Sequence, residues 1–478
     1  MIKSLVWSFM EQGGTRVVAL FVQIVLARML APEAFGVLAI LLVITNVADV
    51  IAQSGLGMAL VQRDEVSDSD FSTAFWLSLG IACALYFAVF VLAPPLALFY
   101  GWQELAPLLR ALAVVVLFNA MNSVQRSFLQ RTMDFQALFK ANVAAVVISG
   151  ALGIGAAFFG LGTWALVIQV ILQSVIACVV MFIVVPWAPS LCFDIRIAGE
   201  LFAYGWKICA TGILNVLYTG LSELIIGRTC SAGDLGYYSQ GRKWPNAAIS
   251  VATTALQNVL FPAFSSIKED KEALSFALRR ALVTGSFIIA PISFFFIIAA
   301  EPTISLMLTE AWLPSVPIFQ MLCFSGSFTL LQIVNLRAYM ALGDSGLYLK
   351  LQIIKVAFGG FAICFAALIT HDIYAVSAVT MFAGVLSVLI VDLQPAGRML
   401  GYPRHSQVKD VLPVYGLAAV SAICSWTVSL FVTSNLLLLA LEALVFGMVY
   451  FAGSKLFNLE GLSDCLRLIH ELIKKKIS

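Results

Sequence analysis

The sequence predicts an all-α integral membrane protein. About fourteen transmembrane helices are expected, as two six-helix lobes related by an internal repeat plus two C-terminal helices. Three observations carry this. Of 478 residues, 61% are hydrophobic and only 11% charged, where soluble globular domains carry roughly 25% charged residues. Apolar runs long enough to cross a bilayer recur to the end of the chain. The third is a repeat. Leu26-Ala27-Arg28-Met29-Leu30-Ala31-Pro32-Glu33-Ala34-Phe35-Gly36 returns 200 residues later as Ile226-Gly227-Arg228-Thr229-Cys230-Ser231-Ala232-Gly233-Asp234-Leu235-Gly236. Without a gap, Arg28 falls on Arg228, Phe35 on Leu235, Gly36 on Gly236 and, further on, Asn46 on Asn246. Parallel repeats are a known way to build a transporter around a central site.

The expected spans are, in order, about 5–30, 35–60, 73–98, 107–128, 138–160 and 162–186, forming an N-terminal lobe over 1–190. A second lobe over 200–400 holds spans at about 201–228, 236–262, 278–300, 317–341, 349–370 and 374–397. Two additional spans near 411–433 and 436–455 fill 410–456, and a basic tail with Lys474, Lys475 and Lys476 occupies 457–478. The first run, from Leu5 to Leu30, is too long for a signal core and carries Glu11, Arg16 and Gln23, so it reads as a span. The nine cysteines form no CxxC pair or Cys/His cluster, so neither a disulfide framework nor a metal site is expected. Loops with Arg63, Arg131, Arg196, Lys268, Lys271 and Arg398 alternate with loops holding Glu33, Glu104, Glu301 and Asp372. By the positive-inside rule both termini are expected in the cytoplasm.

Polar residues inside spans are costly and mark function. Asn46, Asp49 and Gln53 share one face of span two, at i, i+3 and i+7. Arg16 and Gln23 lie on one face of span one, with Glu11 beside it. Lys207 and Asn215 do the same in span seven, with Glu223 off to one side, and Arg242, Asn246 and Gln257 form a stripe in span eight. Spans three, six, nine, thirteen and fourteen read as nearly uninterrupted apolar runs. Hydrogen bonding across packed helices explains a lone Asn or Ser; it fits Arg16, Asp49, Lys207 and Arg242 poorly, because a charge needs a partner or water. The expected alternative is a water-filled cavity lined by spans one, two, seven and eight. Arg16, Gln23, Asn46, Gln53, Lys207, Asn215, Arg242, Asn246 and Gln257 are its candidate substrate contacts, and Asp49, Glu11 and Glu223 its candidate ion-coupling acids. Arg28 and Arg228, each ending a helix where a cation favours the C-terminal carbonyls, are expected to be structural, with Gly36 and Gly236. No phosphate loop, HExxH or GxSxG motif occurs, so no enzyme activity and no cofactor are expected. A net charge of +2 carries no indication of nucleic acid.

Short motifs in a fixed order add a family resemblance. Arg28-x-Leu30-x-Pro32-x-x-Phe35-Gly36 is followed by Gly55-Leu56-Gly57-Met58-Ala59-Leu60-Val61-Gln62, then by Phe128-Leu129-Gln130-Arg131-Thr132-Met133-Asp134-Phe135. Ile226-Gly227-Arg228, Leu235-Gly236-Tyr237-Tyr238-Ser239, Leu260-Phe261-Pro262-Ala263 and Trp312 with Pro317 complete the set. Over residues 1 to about 400 the chain resembles Wzx-type polysaccharide flippases of the colanic and teichuronic acid exporter branch, in the multidrug/oligosaccharidyl-lipid/polysaccharide exporter superfamily. The resemblance implies two six-helix lobes around a cationic cavity, in the bacterial inner membrane. It implies an undecaprenyl-diphosphate-linked oligosaccharide turned from the inner to the outer leaflet by alternating access. Membrane lipid and a polysaccharide polymerase or export machinery would be the other partners. An ion-coupled multidrug or small-solute antiporter of the same superfamily is the alternative, and would want an acidic, aromatic-rich cavity.

Overall fold

The computed structural model describes residues 2–63 and 65–467; among them there are helices and turns and no strand. In order the helices are α1 (Ile2–Met29), α2 (Pro32–Gln53), α3 (Leu56–Gln62), α4 (Asp68–Tyr100), α5 (Leu105–Leu112), α6 (Val114–Arg131), α7 (Phe135–Phe158), α8 (Thr163–Val184) and α9 (Ile195–Thr229). They continue as α10 (Ala232–Ser266), α11 (Lys271–Ile298), α12 (Ala300–Met307), α13 (Val316–Ser327), α14 (Thr329–Ala341), α15 (Ser345–Thr370), α16 (Ile373–Leu386), α17 (Gln394–Leu400), α18 (Arg404–Trp426) and α19 (Asn435–Leu456). The chain forms two compact units, Met1–Gly236 and Tyr237–Ser478; α9, the first helix of the second repeat, packs within the first unit against α2.

Twelve stretches among the described residues are long and apolar enough to cross a membrane. The expected first and eighth spans fall on α1 and α10, which are long but not among those twelve. Span two, expected at about 35–60, lies within the candidate span Pro32–Val61 but is broken inside it. Ser54 and Gly55 are both left-handed, at φ 46 and 67, so the chain turns and restarts as α3. Span four is built from α5 and α6, and span twelve is interrupted by a π-helical turn over Ser387–Asp392.

The repeat has the same spacing in the structure. α1 ends at Met29 and α9 at Thr229, while α2 starts at Pro32 and α10 at Ala232. Asp134 caps α7 through the Ala137 amide, and Asp344 caps α15 through the Leu347 amide. The residue before each cap is left-handed, Met133 at φ 58 and Gly343 at φ 84.

Apolar surface gives no drive between helices in lipid, so close approach rests on small residues. On α9, Gly205, Gly212, Gly220 and Gly227 face Ser54, Val50, Val43 and Ile40 in turn along α2. At the far end of α2 the contact becomes reciprocal. A Cβ at Gly36 would run into the carbonyl oxygen of Ala232, and a Cβ at Gly236 into that of Pro32. These are residues related by the 200-residue offset. Gly36→Ala is therefore expected to cost at least about 2 kcal/mol, since overpacked backbone has no rotamer to give way. Protein abundance and melting in detergent measure it, and Ala at the unopposed Gly80 is the control.

In the second unit α11 ties the C-terminal segment down. Arg279 pairs with Asp410 on α18 at 2.9 Å and with Glu460 at 3.0 Å. Arg280 pairs with Asp464 at 2.5 Å, and Thr284 donates to the same carboxylate. Deeper in this unit, Lys355 on α15 and Asp392 at the end of the π-helical turn form an ion pair at 3.0 Å, with side chains 3% and 0% exposed. The Tyr339 hydroxyl donates to the Asp392 carbonyl at 2.7 Å and accepts from the Ala396 amide at 3.1 Å. It thus bridges two groups that an unbroken α-helix would join directly. Asn335 donates to Gln407, whose amide donates to the Leu393 and Tyr402 carbonyls.

A polar cavity in the first unit

The first unit holds a cavity of about 830 Å³. Its wall comes from seven helices, α1, α2, α3, α6, α7, α8 and α9. α1 supplies Thr15 and Arg16, and α2 supplies Val50 and Gln53. The turn at Gly55 and helix α3 form one edge, and Gly212 of α9 lies opposite. α6 contributes one full face: Asn119, Asn122, Ser123, Arg126 and Gln130 recur at helical spacing. Asn142 of α7 and Gln173 and Ser174 of α8 complete the polar lining. Two guanidinium groups and six carboxamides therefore face one space, and none of its lining residues is acidic or aromatic.

Hydrogen bonds fix how the α6 amides point. The Asn119 amide donates to Asp49 Oδ2 at 2.7 Å. The Asn122 amide donates to the Ser174 backbone carbonyl at 3.2 Å. A carbonyl accepts only, so Asn122 must turn its own carbonyl oxygen the other way. That oxygen is buried and has no hydrogen-bond partner among the described residues; the same holds for Asp49 Oδ1. Asp49 thus stands behind the wall, held by a neutral amide. The edge is kept in place by Arg131, which donates to the Leu60 carbonyl at 3.1 Å and also to that of Arg63, and so holds the C-terminal end of α3. Arg63 in turn pairs with Asp70 at 2.6 Å and with Glu200.

Of the residues expected to line a cavity, Arg16 and Gln53 stand on this one. Gln23 is half-buried, Asn46 and Asn215 are exposed, and all three stand off this wall. Asn46 lies two turns from Gln53, about 10 Å along α2, and the cavity does not reach that far. Glu223 is half-buried on α9, whereas the side chains of Glu11 and Lys207 lie outside the described residues. In the second unit Arg242 is half-buried, Asn246 exposed, and Gln257 accepts from Arg337 at 2.9 Å. Arg28 and Arg228 are exposed in the last turns of α1 and α9, Arg228 with its guanidinium 5.3 Å from the Phe99 ring centroid. The α6 face was missed, although Asn119, Asn122, Arg126 and Gln130 follow the same spacing rule that marked span two. Lys355, Asp392 and Glu442 were missed as well, and the last interrupts a span that read as uniformly apolar. Glu442 is 1% exposed on α19.

These features define a multi-helix membrane protein with a polar, cationic internal cavity. The family model described as polysaccharide biosynthesis protein matches residues 25–317, and the chain belongs to that family. It is 26% identical over 319 residues to the succinoglycan biosynthesis transport protein ExoT of Rhizobium meliloti, covering 67% of this chain and 65% of that protein. It is 27% identical over 315 residues to the lipopolysaccharide biosynthesis protein WzxC of Escherichia coli, covering 63% and 62%. The matches thus span somewhat less than two thirds of the length of these relatives. Among solved structures, the lipid II flippase MurJ in an inward closed conformation has the same fold, with a TM-score of 0.73 at 15% identity, covering 96% of this chain and 99% of that one.

Proposed function

We propose that this protein moves a polyprenyl-diphosphate-linked oligosaccharide from the inner to the outer leaflet of the bacterial inner membrane, for cell-surface polysaccharide synthesis. The observation that carries the proposal is the lining of the first-unit cavity: Arg16 and Arg126 beside six carboxamides, with no carboxylate on the wall. A diphosphate and its sugars cannot enter hydrocarbon unaided, and guanidinium groups bind phosphate oxygens as a two-pronged fork. The apolar tail of such a lipid needs no cavity and can stay in the bilayer. An organic cation would find no counter-charge on this wall. The names of the relatives, a succinoglycan transport protein and a lipopolysaccharide biosynthesis protein, agree with this substrate class.

The cavity wall includes the end of α2, helix α3 and the end of α6, and Arg63 after α3 pairs with Glu200 near the start of α9. Arg63, Arg131 and Arg196 cluster at those same ends, and the positive-inside rule assigns them to the cytoplasm. Both termini then lie inside, and the cavity loads from the leaflet on which lipid-linked sugars are assembled. In cells lacking the protein, the lipid-linked oligosaccharide should accumulate on the inner leaflet, shielded from a membrane-impermeant glycosidase. Accumulation on the outer leaflet would reject the proposal.

Directional movement needs a gradient or removal of the product. Asp49 is the acid placed to report one: it lies in the membrane, contacts the cavity wall through Asn119, and leaves Oδ1 without a partner among the described residues. Asp49→Asn keeps size and hydrogen bonding while removing the ionisable group. Export is expected to lose its dependence on the proton or sodium gradient in this variant, as measured in vesicles with imposed gradients. An unchanged gradient dependence would eliminate Asp49 as the coupling site.

A further inference from the structure

The C-terminal segment begins with a sharp turn. α19 ends at Leu456, the chain passes through Asn458 at φ 47, and residues 460–467 are helical again. Contacts with α11 fix how this short helix is rotated. Gly461 is buried, and a Cβ there would run into the side chain of Phe287. Asp464, with its side chain 18% exposed, takes Arg280 and the Thr284 hydroxyl, and Glu460 takes Arg279. The opposite side carries Leu466, 53% exposed, with Arg467 exposed beside it. Leu462 and Leu466 lie on one helical face, and the sequence continues that face through Ile469, Ile473 and Ile477, at i, i+4, i+7, i+11 and i+15. Lys474, Lys475 and Lys476 accompany them; residues from 468 onward lie beyond the described ones. Charge is divided along the segment. The acids Glu460 and Asp464 are matched by arginines of α11, whereas residues 468–478 hold three lysines against the single acid Glu471. An apolar stripe of helical period beside lysines suits a membrane interface, and lysine clusters just cytoplasmic of a span suit anionic headgroups.

We infer that the segment from Glu460 to Ser478 is a strap that docks on the anionic phospholipid of the inner leaflet. α11 holds its acidic side, the stripe from Leu462 to Ile477 takes the acyl boundary, and Lys474, Lys475 and Lys476 take the lipid phosphates. This lipid site is separate from the cavity and independent of what the protein transports. Arg279 gives the strap its purchase on the fold, because the same guanidinium pairs with Glu460 and with Asp410 of α18. The ends of α11 and α18 are thereby tied, through the strap, to the membrane surface.

The test uses the full-length protein in nanodiscs of two compositions, phosphatidylcholine alone and phosphatidylcholine with about one third phosphatidylglycerol. A glutamate-specific protease cuts after Glu471, and release of residues 472–478 is followed by mass. Phosphatidylglycerol should slow release from wild type at least about tenfold, because each lysine near an anionic surface strengthens binding several-fold. High salt should abolish the difference. The triple variant Lys474→Gln, Lys475→Gln, Lys476→Gln should be cut equally fast in both compositions, which also controls for any action of lipid charge on the protease. Leu466→Ser with Ile473→Ser should be cut faster than wild type in the anionic discs. Equal rates for wild type in the two compositions would overturn the inference. Protection that survives the triple variant, or that the serine variant leaves undiminished, would overturn it as well, since the segment would then be held by protein and not by lipid.

Discussion

Lys355→Met is expected to destabilise the second unit by roughly 3–5 kcal/mol, because it strands a carboxylate with no cation inside the membrane. The partner is Asp392, 0% exposed and 3.0 Å from the ammonium. That is a large fraction of the roughly 5–15 kcal/mol by which a domain is stable, so the variant should be strongly depleted from membranes. Its sign depends on pairing rather than on charge as such. Lys355→Met combined with Asp392→Leu removes both charges and fills the space with apolar atoms, and should recover most of the loss. A double-mutant cycle read by melting in detergent measures the coupling. Independent, additive losses would show that the pair does not act as a unit. Tyr339→Phe should cost less, about 1–3 kcal/mol, by leaving the Asp392 carbonyl and the Ala396 amide without the hydroxyl that joins them.

The second large effect falls on transport at normal abundance. Arg16 and Arg126 are exposed to the cavity and line it from α1 and α6. Charge-assisted hydrogen bonds contribute about 1.5–3 kcal/mol each. Replacing both arginines by glutamine should therefore reduce export by at least about a hundredfold, while leaving protein level and melting temperature close to wild type. Lysine at either position should rescue only in part, because it keeps the charge and loses the two-pronged geometry. Normal polysaccharide export by Arg16→Gln, Arg126→Gln would favour a neutral solute over a diphosphate.

Much of this was legible in the sequence, for physical reasons. A bilayer leaves few options to an apolar run, so the helices and their order followed from composition. The 200-residue repeat marked Gly36 and Gly236, and the structure gives the cause: two backbones meet there with no room for a Cβ. Asp134 belongs to one of the short motifs, and its work is to cap α7. Other features were legible by the same rules but passed over. Arg126 lies two residues inside the expected end of span four, at about 128, whereas α6 continues to Arg131 and carries Arg126 on its polar face. Lys355 and Asp392 are single charges in two apolar runs, and nothing in their spacing of 37 residues says that they meet. The break at Ser54 rests on a non-glycine residue at positive φ, which no local pattern announces. The direction of the Asn122 amide depends on a carbonyl 52 residues away, which only the packing of α6 against α8 can reveal.

The central claim is that a diphosphate-linked glycan crosses the membrane through this protein. Reconstituting the purified protein into liposomes tests it most directly, with lipid-linked oligosaccharide in the outer leaflet and loss of access to an added glycosidase followed under an imposed gradient. Wild type should move the diphosphate-linked glycan out of the enzyme's reach. It should leave the same glycan on an uncharged polyprenyl ether accessible, and Arg16→Gln with Arg126→Gln should move neither. Equal movement of the charged and uncharged lipids, or undiminished movement by the double variant, would contradict the account.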